Sequence, residues 1–172
     1  RRNCLPTSDQ KTITVAIIGA PNAGKSTLVN KLVGSKVSIV SPKAQTTRSS
    51  LRGIAMQGKT QIILVDTPGI FRPENKALDK AMVRAAWQAL DGADSYLLLV
   101  DAARGITDKV RDIIEGLKHR KIPVILVLNK VDTLTPEKLL PLSAELHGLL
   151  DFEKTFMISA LKGKGTEDIL RY

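Results

Sequence analysis

The strongest constraint on the fold lies in residues 12–33, where a glycine-bracketed loop joins an apolar run to a helix-like pattern. The run before Gly19 is rich in β-branched residues, which is typical of a buried strand. Apolar residues return at helical spacing after Lys25. Between them lies the pattern G-x-x-x-x-G-K-S, with Gly19, Gly24, Lys25 and Ser26 at its fixed positions. A strand, this loop and a helix in that order predict a phosphate-binding loop.

The chemistry of a polyphosphate explains why these residue types are needed. Glycines lack a Cβ and let backbone N–H groups approach the phosphates, while the positive end of the following helix points to the same place. Lys25 is predicted to contact the β- and γ-phosphates, and the Ser26 hydroxyl to bind Mg²⁺. The predicted nucleotide-binding residues here are Pro21, Asn22, Ala23, Gly24, Lys25, Ser26 and Thr27.

Composition predicts an ordinary globular domain. The 172 residues are 43% apolar, enough for one domain with its own core, and no apolar run approaches the roughly 18 residues of a membrane span. The single cysteine, Cys4, excludes an internal disulfide and fits a reducing compartment. Residues 1–10 are predicted to be a flexible leader before a domain at 11–172.

The net charge of +9 is unevenly distributed along the chain. From Lys11 to Val65 there is no acidic residue but there are eight basic ones. Such a field suits polyanions, so a nucleotide, RNA or an anionic membrane surface is the expected partner; a merely solvated basic face is the alternative. The eight residues are Lys11, Lys25, Lys31, Lys36, Lys43, Arg48, Arg52 and Lys59.

Strand-like and helix-like segments alternate along the chain. Strands are predicted at 12–18, 50–56, 60–65, 96–100, 122–128 and 155–158. Helices are predicted at 25–33, 77–90, 107–118, 136–149 and from about Gly165 onward, with a loop at 34–50. This alternation predicts a doubly wound α/β fold, with a mostly parallel six-stranded sheet and helices on both faces. Ligands bind such sheets at the carboxyl ends of the strands.

Asp66-Thr67-Pro68-Gly69 follows a predicted strand, about 40 residues after Ser26. At that position Asp66 is predicted to bind Mg²⁺ through its water shell, as the acidic residue beside a phosphate loop does. Gly69 leaves a backbone N–H free to approach a γ-phosphate. A simple turn is the alternative, because Pro and Gly suit turns. The distance from the phosphate loop favours the metal role.

Asn129-Lys130-Val131-Asp132 is the predicted base-recognition segment. The Asp132 carboxylate can accept hydrogen bonds from guanine N1–H and the exocyclic amine, a donor pair that adenine lacks on that edge. Asn129 is predicted to brace the loop and the Lys130 stem to cover the base face. A helix N-cap at Asp132 or Thr133 is the alternative. A backbone N–H of Ser159-Ala160-Leu161, after the last strand, is predicted to reach guanine O6.

These segments together resemble a known family. GAPNAGKS, TTR, DTPG, NKVD and SAL are similar, in sequence and order, to the guanine-nucleotide-binding domain of the TRAFAC-class translation-associated GTPases. The segment KAQTTR at 43–48 is similar to the Era-like members, and the likeness covers nearly all of 11–172. The resemblance implies a P-loop GTPase, a molecular switch that binds GTP with Mg²⁺ and hydrolyses it to GDP and phosphate.

The resemblance also implies residue roles. Thr47, or its neighbour Thr46, would complete the Mg²⁺ shell of Ser26 and Asp66 when the loop closes over GTP. Asn22 matches an asparagine that in related GTPases helps hold a K⁺ ion, which would stabilise charge developing in the transition state. The implied catalytic residues are Asn22, Lys25, Thr47 and Gly69.

Ile70 stands where Ras-type enzymes carry a glutamine that orients the attacking water. Isoleucine neither donates nor accepts a proton, so intrinsic turnover is expected well below ~1 s⁻¹. A nucleotide-gated binding module with negligible hydrolysis alone is one alternative, and Ile70 favours it. The GTPase domain of a tRNA-modification or tandem-domain ribosome GTPase is another, against which the KAQTTR segment argues.

Further partners are implied outside this chain. In Era-like proteins a C-terminal KH domain binds the 3′ region of small-subunit ribosomal RNA, and no GXXG loop of that domain follows Lys164. The implied role is a checkpoint in 30S ribosomal subunit assembly, with rRNA bound by the full-length protein. The expected location is the cytoplasm, with peripheral association with an anionic inner membrane, or the mitochondrial matrix for an organellar homologue.

Overall fold

The structure, a computed structural model, describes residues 11–19, 23–34, 50–66, 87–88, 90, 92–130, 132 and 134–172. The strands are β1 Lys11–Gly19, β2 Ser50–Gln57, β3 Thr60–Asp66, β4 Ser95–Asp101, β5 Val124–Asn129 and β6 Lys154–Met157. The helices are α1 Lys25–Val33, α2 Asp108–Leu117, α3 Pro136–Leu149 and α4 Thr166–Arg171. Across these ranges, no helix is long and apolar enough to cross a membrane.

The six strands form one sheet in the order β2-β3-β1-β4-β5-β6. Every neighbouring pair is parallel except the β2–β3 hairpin, which is antiparallel. This confirms the predicted doubly wound, mostly parallel sheet. The strands β3 and β2 lie on one side of β1, and β4, β5 and β6 lie on the other. The carboxyl end of β1 therefore lies where the strand order reverses. In open α/β sheets that switch point is the ligand-binding crevice.

Both faces of the sheet are buried, as the continuous apolar strands predict. In β4, Tyr96, Leu98 and Val100 belong to the cluster that includes the apolar side of α2. The intervening Leu97 and Leu99 belong to the opposite cluster, which includes the apolar side of α1. Because successive side chains of a strand point to opposite faces, one strand supplies both cores. The helices therefore fix the sheet from two sides.

The register aligns the carboxyl ends of four strands. Ile17 in β1 pairs with Asp66 at the end of β3, and Gly19 pairs with Leu99 in β4. Asp101, at the end of β4, pairs with the last residue of β5. The last residues of these strands, Gly19, Asp66, Asp101 and Asn129, are consequently brought to one edge of the sheet.

Most predicted boundaries agree with the structure, and α1 and α3 match it residue for residue. The strand predicted at 122–128 was wrong at its start, because β5 begins at Val124. Pro123 has no N–H to donate, although its carbonyl accepts from the Tyr96 N–H. The helix predicted at 77–90 lies mostly outside the described residues; Trp87 and Gln88 are helical.

Gly116 in α2 is required by the packing of the buried Trp87. A Cβ at Gly116 would lie 2.5 Å from Cζ2 of that indole, which also packs edge-on against Tyr96. Gly116→Ala is therefore expected to lower the free energy of unfolding by about 1–2 kcal/mol, despite the better helix propensity of alanine. Urea unfolding monitored by circular dichroism measures the change.

Gly148 in α3 is the matched control, because a Cβ there would meet nothing within 4 Å. Gly148→Ala is expected to raise the free energy of unfolding by up to about 1 kcal/mol. The two substitutions gain the same helix propensity and differ in packing. Changes of the same sign would contradict the packing argument.

Candidate functional site

Two glycines allow close contact between the phosphate loop and its neighbours. Gly24 is the N-cap of α1 and has a left-handed backbone, with φ 104° and ψ 23°. A Cβ at Gly24 would lie 2.3 Å from Nδ2 of Asn129. A Cβ at Gly19, the last residue of β1, would lie 3.0 Å from the carbonyl oxygen of Leu99. Any larger residue at Gly24 would collide with the Asn129 carboxamide and would be strained in this backbone conformation.

The N-terminus of α1 has the properties of an anion-binding site. Its first turn contains no acidic residue, and its N-cap residue is Gly24, which has no side chain to cap the helix. The first N–H groups of a helix lack helical partners and the helix dipole is positive there, so this end favours a phosphate. Lys25 and Ser26 are the first two residues of the helix, and Ser26 is exposed to solvent. Their predicted contacts with the phosphates and Mg²⁺ stay predictions.

Asn129 connects the loops after β1 and β6. Its buried carboxamide donates from Nδ2 to the Ala23 carbonyl at 2.9 Å. Its Oδ1 accepts from the Ala160 N–H, also at 2.9 Å. A third hydrogen bond joins the Asn129 carbonyl to the Ala102 N–H after β4. One side chain therefore fixes the phosphate loop relative to the base-recognition loops.

Asp132 is held by the loop after β6. A hydrogen bond with the Ser159 side chain is the main reason that the Asp132 pKa is lowered from 3.8. Lys162 contributes further, with its Nζ 3.5 Å from Asp132 Oδ2. Both contacts favour the ionised carboxylate, which presents two acceptor oxygens.

Ser159→Ala is expected to raise the pKa of Asp132, because the hydrogen bond with this hydroxyl is the largest single cause of the lowering. A lowered pKa in the folded state means that ionisation favours folding above the unfolded pKa, and that this contribution is lost as the pH falls through the folded pKa. Without the Ser159 hydroxyl this contribution is smaller, because the folded pKa of Asp132 lies closer to the unfolded one. The ¹³C carboxyl NMR titration of Asp132 measures the pKa in each protein. An unchanged Asp132 pKa in Ser159→Ala would contradict the assignment.

The segment Ser159–Leu161 begins a tight turn. The Ser159 N–H donates to the Lys164 carbonyl at 3.0 Å, and the Ala160 N–H donates to Asn129. Within the described part of the chain, the Leu161 N–H donates to no protein group. Of the three N–H groups considered for guanine O6, it is the one that needs no rearrangement.

Asp101 is a site residue that the sequence patterns did not reveal. It is buried at the end of β4, and its Oδ1 accepts from the Ala103 N–H at 2.9 Å. Its Oδ2 accepts from the Lys130 ammonium at 3.0 Å. The sequence feature that could have identified Asp101 is an acidic residue at the end of an apolar strand, the position that Asp66 has in β3. The Lys130 ammonium is thereby anchored to the end of β4.

Several predicted site residues are not described. For Asp66 the structure gives the backbone, at the end of β3 beside β1. The predicted metal and catalytic roles at the undescribed positions stay predictions. Outside the described residues lie Pro21, Asn22, Thr46, Thr47, Gly69 and Ile70.

A model of the family described as 50S ribosome-binding GTPase matches residues 14–130. The chain belongs to this GTPase family. GTPase Era from Rhizobium meliloti is 56% identical over 158 residues, which cover 92% of this chain and 50% of that protein. The chain therefore spans about half the length of the curated relatives it matches.

Two solved structures agree with this assignment. Era from Aquifex aeolicus bound to GDP·AlF4⁻ is 41% identical, with a TM-score of 0.74, and the match covers 94% of this chain and 56% of that one. Era in complex with MgGDPNP and nucleotides 1506–1542 of 16S ribosomal RNA is 41% identical with a TM-score of 0.75, over 94% and 55% of the two chains. The predicted resemblance to Era-like GTPases is confirmed.

Proposed function

We propose that this domain binds GTP with Mg²⁺ and hydrolyses it to GDP and phosphate, acting as a molecular switch. The observation that carries the proposal is the bridge from the Ala23 carbonyl through Asn129 to the Ala160 N–H. This bridge connects the phosphate loop to the loop after β6. Asp132, whose carboxylate suits guanine, contacts the same loop. A nucleotide requires the phosphate loop and the base-recognition loop at a fixed separation, because its phosphates and its base are parts of one ligand.

Guanine recognition requires both a hydrogen-bond acceptor and a hydrogen-bond donor from the protein. In this proposal Asp132 accepts from N1–H and the exocyclic amine, and the Leu161 N–H donates to O6. The Lys130 stem covers one face of the base. With adenine bound, the Asp132 carboxylate would face a ring nitrogen that carries no hydrogen. The carboxylate would then lack a hydrogen-bond partner, which makes adenine binding unfavourable.

Mg²⁺ and the phosphates would lie at the N-terminus of α1. Lys25 would contact the β- and γ-phosphates, while Ser26 and Thr47 (or Thr46) would bind the ion directly, and Asp66 through water. The β1–β3 register supports the placement of Asp66 near this loop. The ligands in the two Era structures, MgGDPNP and GDP·AlF4⁻, support the same chemistry here. The γ-phosphate would order residues 34–50 and 69–77, the latter through the Gly69 N–H, and its loss would release them.

Hydrolysis by the isolated chain is expected to be slow, well below ~1 s⁻¹, and several-fold faster in KCl than in NaCl at equal ionic strength. The slow rate follows from Ile70, and the cation effect from a K⁺ ion held by Asn22 beside the phosphates. Phosphate release from GTP measures both. Asn22→Ala is the matched variant, expected to remove the difference between the two salts while GTP remains bound.

A nucleotide-gated binding module is the second candidate, and Ile70 is the feature that favours it. Negligible phosphate release in both salts, with bound GTP demonstrated by filter binding, would support this alternative. In that case hydrolysis would require a partner to position the water. The similarity to GTPase Era argues against the domain of a tRNA-modification or tandem-domain ribosome GTPase.

We further propose that the full-length protein acts in small ribosomal subunit assembly, with rRNA contacted by a segment outside this chain. The solved complex of an Era relative with a 16S ribosomal RNA fragment supports this role. Cosedimentation of the full-length protein with 30S subunits, with GTP analogue against GDP, tests it. A cytoplasmic location and peripheral contact with an anionic membrane are also proposed. Cell fractionation tests the first, and vesicle flotation tests the second.

A further inference from the structure

We propose that Asp101 is a positioning residue that sets how long a guanine nucleotide stays bound. The inference rests on the proposed GTP binding at this site and adds a residue to it. Asp101 acts through Lys130, whose ammonium it holds, and is not itself placed to contact the nucleotide. Its two oxygens lie at the junction between the end of β4 and the base-recognition loop.

The contacts of Asp101 leave little freedom to the residues around it. Oδ1 accepts from the Ala103 N–H at 2.9 Å and Oδ2 from Lys130 Nζ at 3.0 Å, while only 7% of the residue is exposed. The Nε of the exposed Arg104 is farther from Oδ2, at 3.8 Å, so Lys130 is the shorter contact of the two cations. The Asp101–Asn129 register and the hydrogen bond from the Ala102 N–H to the Asn129 carbonyl connect the same two strand ends. Asp101 and Asn129 thus hold the base-recognition loop from two adjacent points.

The backbone of Lys130 shows why an anchor is needed. Its φ of 65° is left-handed, and it is the one non-glycine residue with positive φ in the described part of the chain. An L side chain in this region is disfavoured by roughly 1–2 kcal/mol, so surrounding contacts must maintain it. The charge-assisted hydrogen bond to Asp101 is such a contact. It directs the Lys130 stem and, through the backbone, the residues on either side.

Loss of this anchor has a specific consequence for the nucleotide. The Lys130 stem would no longer be held across the base, and the loop would lose its preferred backbone conformation. GDP and GTP would then leave faster by the same factor, because the phosphate contacts are unchanged. Preference for guanine over adenine would remain, because Asp132 still reads the base edge.

Asp101→Asn is the direct test, since an asparagine keeps an oxygen for the Ala103 N–H and removes the charge. Dissociation of fluorescent GDP and GTP analogues, measured by stopped flow, is expected to accelerate about five- to tenfold for both. Asp94→Asn is the matched control at the opposite end of β4. Asp94 also accepts a backbone N–H, from Thr14 at 2.7 Å, and its substitution should leave dissociation unchanged.

A double-mutant cycle separates positioning from a general structural effect. Lys130→Met keeps the apolar stem, and in that background Asp101→Asn should change dissociation less than twofold. Lys118→Met removes an equally short ion pair, with Glu115 at 3.0 Å, and should have no effect. If Asp101→Asn does not fold, Lys130→Met alone must accelerate release.

Any one of three results overturns the proposal. The first two are an unchanged rate of nucleotide release in Asp101→Asn and an unchanged rate in Lys130→Met. The third is an effect of Asp101→Asn on nucleotide release that is as large in the Lys130→Met background as in the unmodified chain. A failure of the proposed function is distinguishable from these outcomes. In that case the unmodified chain would bind neither labelled GDP nor labelled GTP.

Discussion

Asp132→Asn is expected to weaken GTP binding at least about a hundredfold and to create affinity for xanthosine triphosphate. In the proposed site the carboxylate would accept two N–H groups of guanine, whereas an amide presents one acceptor and one donor. Xanthine carries N1–H and a carbonyl at C2, which match that amide. Competition against a fluorescent guanine nucleotide measures both dissociation constants. The change in specificity separates base recognition from a merely structural role.

Asp151→Asn provides the control, because Asp151 is an exposed carboxylate in the loop after α3. It should alter neither GTP nor xanthosine triphosphate binding. The asparagine at position 132 still accepts from the Ser159 hydroxyl, so the fold should be retained. Unchanged GTP affinity in Asp132→Asn, or loss of GTP binding with no gain for xanthosine triphosphate, would contradict the assignment of the base edge.

Features encoded by neighbouring residues were predictable from the sequence. The bounds of α1 follow from Gly24, which adopts a backbone suited to glycine, and from the apolar spacing that starts just after it. The start of α3 follows from Pro136, since proline suits the first turn of a helix, although the same helix continues through Pro141. The strand pattern was sufficient for the sheet class because both faces of the sheet are buried.

Contacts that depend on strand order were not predictable in the same way. The Lys130–Asp101 hydrogen bond joins residues 29 apart in sequence, and the Asn129–Ala23 bond joins residues 106 apart. Both require β1, β4 and β5 to lie side by side, which no local pattern specifies. A bracing role for Asn129 was predicted from the motif, but its partners were not. Asp101 gave no motif because its function depends on a neighbour supplied by the sheet.

Asn129→Ala is expected to lower the free energy of unfolding of the nucleotide-free domain by about 3–5 kcal/mol and to abolish measurable GDP binding. The substitution removes both hydrogen bonds of the carboxamide. It leaves the Ala23 carbonyl and the Ala160 N–H without partners, although both residues are buried. Each buried unpaired group costs about 1–3 kcal/mol. Urea unfolding and calorimetric titration with GDP measure the two effects.

Two further variants show whether stability and binding are lost for the same reason. Asn30→Ala, on the exposed face of α1, should change stability by less than about 0.5 kcal/mol. Asn129→Asp keeps an acceptor for the Ala160 N–H but loses the donor to the Ala23 carbonyl. Its second oxygen would face the Ala23 carbonyl oxygen at a buried position, so the variant should be no more stable than Asn129→Ala. It should also fail to bind GDP, because the phosphate loop is no longer tied to the base loop. Tight GDP binding by Asn129→Asp would contradict the coupling on which the proposed function rests.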